Sequence, residues 1–265
     1  MIRKHHLSGR NSTSLMLKRQ VRPWHRWLGI FSAVFVLLIA ISGVLINHSN
    51  QLSIDNAHVK QSWLLDYYGI KTPTNIHIYQ TSPLLASSDN LVWVGKHLAL
   101  EADSAIHGIV PFNDMLIAID NNNLYLISNE GALLEKQDIT TGLPSGLIAI
   151  ANDGQIWLNS DTGSYMADND LIEWTAAKPF APLPWVTPLT EVGNDSVKSS
   201  TQIVSLQARS HHLTWERALL DIHSGRFFGA LGPWFMDLVA LALIIMSISG
   251  VYLWVQHKPK RVKSR

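Results

Sequence analysis

The 265-residue sequence contains no cysteine, which excludes disulfides and cysteine-based metal or redox sites. A domain of ordinary size buries a core without such staples, so this absence assigns no compartment. Acidic residues are missing from both ends of the chain. Residues 1–27 hold seven Lys and Arg, residues 256–265 hold five more, and neither segment has an acid. The remaining nine basic residues and all twenty acids lie between them, which puts the middle at −11 and makes the net charge of +1 an average over unlike segments. The middle also lacks a nucleophile beside its base, a phosphate-cradling glycine loop and a metal-spaced His or acid cluster. It carries no enzyme signal, and no nucleic-acid partner is expected.

Two long uncharged stretches are present. Residues 27–46 carry no charge, and about 20 residues at about 1.5 Å rise span a hydrocarbon core of about 30 Å. The run is long for a signal-peptide core, and no small-x-small cleavage pattern follows Ile46. A second run, 234–255, is interrupted only by Asp237. Arg19, Arg22 and Arg26 precede the first run, and Lys258, Lys260, Arg261 and Lys263 follow the second. Basic residues flanking a span favour the cytoplasmic side. Both termini are therefore expected in the cytoplasm, with residues 49–230 translocated. Trp24, Trp27, Trp234 and Trp254 fall where indoles favour the headgroup layer. The resulting division is a basic tail 1–26, a span 27–47, a β-rich domain 48–230, a span 231–256 and a basic tail 257–265.

The middle reads as short strands separated by turn formers. Residues 92–94, 115–119, 124–127, 156–158 and 203–206 are strand-like, punctuated by Asn121-Asn122-Asn123, Glu130-Gly131, Asp153-Gly154 and Thr162-Gly163. Segments beginning at Gly108 and Gly146 parallel one another, and the strands at 115–119 and 124–127 then correspond to 155–159 and 164–167. A period of about 38 residues resembles propeller blades. About 180 residues supply two or three blades, so an open meander, a small sandwich or completion by another chain is expected. The proline-rich piece 179–188 reads as an extended crossing, and Trp215 to Asp221 as a short helix. The fold class is thus two antiparallel transmembrane helices flanking a β-rich periplasmic domain with propeller-blade-like repeats.

Particular residues at the spans carry a resemblance. The first stretch is Arg22-Pro23-Trp24-His25-Arg26-Trp27-Leu28-Gly29, continuing through Ile41-Ser42-Gly43-Val44 to Asn47-His48. The second runs from Leu220-Asp221-Ile222-His223-Ser224-Gly225-Arg226 through Gly229, Asp237 and Ser249-Gly250 to Leu253-Trp254. Together they resemble the PepSY-associated transmembrane family of bacterial inner-membrane proteins over about a quarter of the chain. The resemblance implies a membrane protein linked to iron or siderophore acquisition, and four-span relatives include haem-containing reductases of ferric siderophores. This chain has two spans rather than four, and its middle lacks the helix-plus-small-sheet pattern of a PepSY domain.

Four histidines bracket the spans: His25 and His48 the first, His223 and His257 the second. Neutral imidazole is a common axial ligand of haem iron, so a pair at each membrane face, His25 with His257 and His48 with His223, is a candidate for haem b. At about 100° per residue His25 shares a helix face with Gly29, Ser32, Ala40 and Gly43, whereas His48 lies about 140° away from it. Ile-Ser-Gly-Val recurs at 41–44 and 248–251, a faint inverted repeat. The same features also serve plain helix packing and interfacial anchoring. Two functions follow. One is a non-enzymatic protein displaying its β domain to a partner, with lipid around the spans and a homodimer or another membrane protein as company. The other is a haem b electron-transfer or ferric-siderophore reductase subunit.

Overall fold

In the computed structural model, residues 10–256 are described, with side chains from Arg22 to Val255. Helix α1 (Arg10–Asn47) runs through Pro23. Helix α2 (Ser62–Tyr67) is short. Three four-stranded antiparallel sheets follow, each a simple up-and-down meander in chain order. The first holds β1 (Ile76–Thr81), β2 (Leu84–Ser88), β3 (Leu91–Val94) and β4 (His97–Glu101). The second holds β5 (Gly108–Phe112), β6 (Met115–Ile119), β7 (Leu124–Ser128) and β8 (Leu133–Gln137). The third holds β9 (Leu147–Asn152), β10 (Ile156–Ser160), β11 (Gly163–Ala167) and β12 (Trp174–Ala176). Helices α3 (Asp195–His211), α4 (Trp215–His223) and α5 (Gly232–Gln256) complete the chain. Two units emerge, Met1–Ala57 with Thr214–Arg265 and His58–Leu213.

Within the His58–Leu213 unit, strand periodicity explains the layering. Along β6, Leu116 and Ala118 face the first sheet, joining Leu85, Val92 and Val94 in one core. Ile117 and Ile119 face the third sheet, joining Leu147, Ile150, Ile156 and Leu158 in another. A strand buried on both faces reads as a continuous apolar run rather than as alternation, and Met-Leu-Ile-Ala-Ile is such a run. The segments paired in the sequence fall on matching strands, β6 with β10 and β7 with β11, and Gly108 opens β5 while Gly146 immediately precedes β9. No closed barrel or propeller forms among the described residues.

The free face of the first sheet is capped by a helix. Ile78, Ala86, Leu91 and Trp93 pack against Val197, Val204 and Ala208 of α3. This corrects the strand expected at 203–206. Val197, Ser200, Val204 and Ala208 are buried at helical spacing. Asn194 caps the helix by accepting a hydrogen bond from the Val197 N–H. The four residues 203–206 alone are too short to separate the two periods.

Within the other unit, α1 and α5 form an antiparallel hairpin. The ring of Phe35 meets that of Phe235 at 5.4 Å between centroids, and Gly29 lies beside Met246. Segments 22–47 and 232–255 are long and apolar enough to cross a bilayer, and only 11% and 6% of their most apolar windows are buried. Core helices of soluble proteins hide their apolar surface; these two present it outward, as lipid-facing helices do.

Candidate functional site

The histidines are placed by the hairpin's small residues. His25 of α1 lies against α5, its Nδ1 2.7 Å from Ser249 Oγ, and a side chain at Gly250 would begin 3.4 Å from its Cε1. At the other end, His223 closes α4 and lies against α1, its Nδ1 2.8 Å from Ser42 Oγ, with Gly43 in the same relation to its Cε1 at 3.5 Å. Each Ser-Gly of the repeated Ile-Ser-Gly-Val thus receives a histidine from elsewhere in the unit. From the sequence, each tetrapeptide stands shortly before His48 or His257; in the fold, their partners are His223 and His25.

Both serine contacts are made at Nδ1. Ser42 Oγ also donates to the Leu38 carbonyl at 2.7 Å, and Ser249 Oγ to the Met246 carbonyl at 3.1 Å. A hydroxyl has one proton, so a serine that gives it to the backbone can accept from an imidazole Nδ1–H. His48 Nδ1 lies 2.6 Å from Gln51 Oε1. Among the described residues no hydrogen bond is made to Nε2 of any of the three rings. This is the state in which a histidine binds a metal, with its other nitrogen oriented by a hydrogen bond.

Of the four sequence-predicted histidines, the structure brings His25 and His223 onto the single stripe of α1 that runs through Gly29, Ser32, Ser42 and Gly43. Ser32 and Ser42 are buried along it. The two rings stand roughly 26 Å apart along that helix at about 1.5 Å per residue. His48 is exposed and holds Gln51 rather than His223. His257 lies outside the described residues. Asp237 is exposed and forms no ion pair with Arg226 or His48 among the described residues. Ser42 and Ser249, the hydrogen-bond partners of His223 and His25, stand in the sequence as members of the repeat and of the quoted stretches, but nothing local pairs them with those histidines.

The turn leading into α5 is built on glycine contact. Gly225 adopts a left-handed φ of 80°, and a Cβ there would lie 2.6 Å from the Gly232 carbonyl oxygen. A 3-10 turn, Arg226–Phe228, bridges the two. Asp221, buried one turn earlier, pairs with Arg217 at 3.3 Å. The motif residues Asp221, His223, Gly225 and Gly229 therefore shape the corner that carries His223 to α1.

Two outward-facing apolar helices, joined as an antiparallel hairpin and bearing a separate β unit, define a two-span membrane protein. The family described as the PepSY-associated TM region matches residues 2–257, and the chain belongs to it. No curated protein matches the sequence.

Proposed function

We propose that this protein is a haem b-binding electron-transfer subunit of the bacterial inner membrane, with both basic ends cytoplasmic and the β unit periplasmic. The observation that supports this is the shared setting of His25 and His223, each held at Nδ1 by a serine hydroxyl and seated against a glycine, with no hydrogen bond to Nε2 among the described residues. Small residues beside a ring leave room for a flat macrocycle or a neighbouring helix. His25 would hold the group at one end of the hairpin and His223 at the other, since rings roughly 26 Å apart do not share an iron; a further histidine, from this chain or a second copy, would complete each site. Bound haem supplies one-electron exchange at its iron. The chain's own part is to orient each imidazole through Ser249 or Ser42 and surround it with apolar helix. Two such centres, one near each membrane face, suit electron passage toward periplasmic ferric siderophore, the substrate class that the family resemblance implies.

The test is a visible spectrum of the full-length protein purified after haem-replete expression. A Soret band is expected, and His25→Ala should remove about half of it, one of two centres, with His223→Ala removing the other. A protein without a Soret band, or one whose spectrum His25→Ala leaves unchanged, overturns the assignment.

A second reading, partner display by the β unit, is favoured by one observation. Among the described residues the outer face of the third sheet is covered by the proline-rich segment rather than by a helix; Trp157 and Met166 border a groove of about 550 Å³ there, beside fully exposed Phe180. A photo-crosslinker at Phe180 should capture one discrete adduct in native membranes. An adduct ladder no different from that at exposed Ile139 would remove this reading.

A further inference from the structure

The His58–Leu213 unit is acidic, its seven Lys and Arg against sixteen Asp and Glu leaving −9. One cleft breaks that pattern. It opens between the first sheet and α3, has a volume of about 500 Å³, and has no acid among the residues lining it. Lys60 and Lys96 stand at it, together with His58, His97 and His211. These residues come from three distant parts of the chain, so the cluster is invisible in the sequence. His58 and His211 meet with ring centroids 5.6 Å apart.

The floor is apolar. Trp93 is almost wholly buried, its indole held by a hydrogen bond from Nε1 to Ser88 Oγ at 2.8 Å, and Leu98, Ile203 and Leu206 extend the surface around it. Two side chains of the lining carry buried polar atoms without a hydrogen-bond partner, Nδ1 of His58 and Oε1 of Gln207. Native proteins pair nearly all such atoms, and an exception calls for a ligand, a water or a function. A half-turn of the Gln207 amide would present its NH2 there instead. Volume, apolar floor and a few convergent polar groups match a small-molecule site. Among the described residues no group of three His, Asp or Glu side chains is arranged to hold a metal, and the charges of Lys60 and Lys96, with no carboxylate in the lining, disfavour a cation.

We infer that this cleft binds an organic anion, a carboxylate or phosphate head carried on a flat apolar body. The head sits among Lys60, Lys96 and the histidines, and the body lies over Trp93 and Ile203. The electrostatic logic is that the unit as a whole carries net negative charge, whereas this concavity gathers positive charge. Burial, followed by the neighbouring charges of His58 and His212, holds the His211 proton affinity below its ordinary value, with Glu101 opposing. An incoming anion reverses that penalty. The charged and titratable groups lining the cleft are His58 and Lys60 from the leading segment, Lys96 and His97 from the β3–β4 hairpin, and His211 from α3, while Glu101 and His212 act on His211 from outside the lining. Imidazole is the side chain whose charge changes between pH 8 and 6, so anion affinity rises as pH falls over that range.

The experiment uses the full chain in lipid nanodiscs, titrated calorimetrically with 2-naphthoate and with 1-naphthyl phosphate, empty nanodiscs being the blank. Saturable binding of at least one is expected, about threefold to tenfold tighter at pH 6 than at pH 8. The doubly charge-reversed variant Lys60→Glu with Lys96→Glu should bind about tenfold or more weakly, while hydrogen exchange of the first sheet stays at wild-type protection. Uncharged 2-naphthalenemethanol should bind far less. Four results overturn the inference: no saturable binding of either anion to millimolar concentration, equal binding by the reversed variant, equal binding of the alcohol, or tight stoichiometric Zn²⁺ binding lost in His58→Ala, which makes the cleft a metal site.

Discussion

Asp120→Ala is expected to destabilise the β unit by about 3–5 kcal/mol, the scale for removing a buried, fully hydrogen-bonded charge. Asp120 is completely buried. Its carboxylate accepts from the backbone N–H groups of Asn122 at 2.9 Å and Asn123 at 2.7 Å, from Asn123 Nδ2 at 3.0 Å, from the Tyr125 hydroxyl at 2.9 Å and from the Ser104 N–H at 3.2 Å. One side chain thus closes the β6–β7 hairpin and ties it to the segment between the first and second sheets. Deletion strands several donors at once, and each unsatisfied buried donor costs about 1–3 kcal/mol. Asp120→Asn should be milder but still damaging, because its NH2 faces groups that themselves donate. Hydrogen exchange of the β7 amides in the full-length protein measures both.

The same carboxylate makes the β unit acid-sensitive. Burial alone would raise its pKa, but the hydrogen bonds from Asn122, Asn123 and Tyr125 outweigh burial and hold it below the ordinary value. A depressed folded-state pKa contributes stability that is complete above the unfolded value of about 4 and is lost as pH falls through the lower folded value. The loss at Asp120→Ala should therefore shrink steadily as pH drops below about 4. Tyr125 is the counterpart. Burial first, and the charges of Asp120 and Asp103 after it, hold its hydroxyl protonated far above the usual phenol range, so it remains a donor at every working pH.

How far the sequence discloses this architecture differs by element. The spans are legible because lipid imposes one pattern, a long uncharged run with basic flanks, that needs no tertiary partner. The strands at 115–119 and 124–127 are legible because both faces of the middle sheet are buried and Asn-rich turns interrupt the runs. Helix α3 was not: Ile203, Val204 and Leu206 form a short apolar cluster with two β-branched members, and only Val197 and Ala208, packed on a sheet more than a hundred residues earlier, reveal the helical face. The histidine positions were legible as residues but not as pairs. Helix phase puts Gly43 on the face of His25, yet that His223 returns to Ser42 depends on the α4 corner, a contact across 181 residues. The cleft at His58, His97 and His211 has no local signature at all, since tertiary packing alone gathers it.

The corner itself gives the other large expected effect. In Gly232→Ala the new methyl would overlap the carbonyl oxygen of Gly225, backbone against backbone, with no flexible side chain to give way. Gly225 cannot retreat easily, because it already holds a left-handed φ and sits 2.5 Å, measured from its would-be Cβ, from Met236 Cγ. The α4–α5 connection must therefore shift, at about 2–4 kcal/mol if it relaxes within the fold. His223 lies two residues before Gly225, so the shift withdraws its Nδ1 from Ser42. Gly29→Ala is the control: its methyl meets only the Cε of Met246, the mobile end of a long side chain, at 2.9 Å. Gly232→Ala should raise amide exchange across 216–225 and leave any spectral signal that depends on His25 in place while removing the one that depends on His223; Gly29→Ala should do neither. A hairpin whose two histidine stations failed together in Gly232→Ala would mean that the ends of the hairpin are coupled rather than independently built.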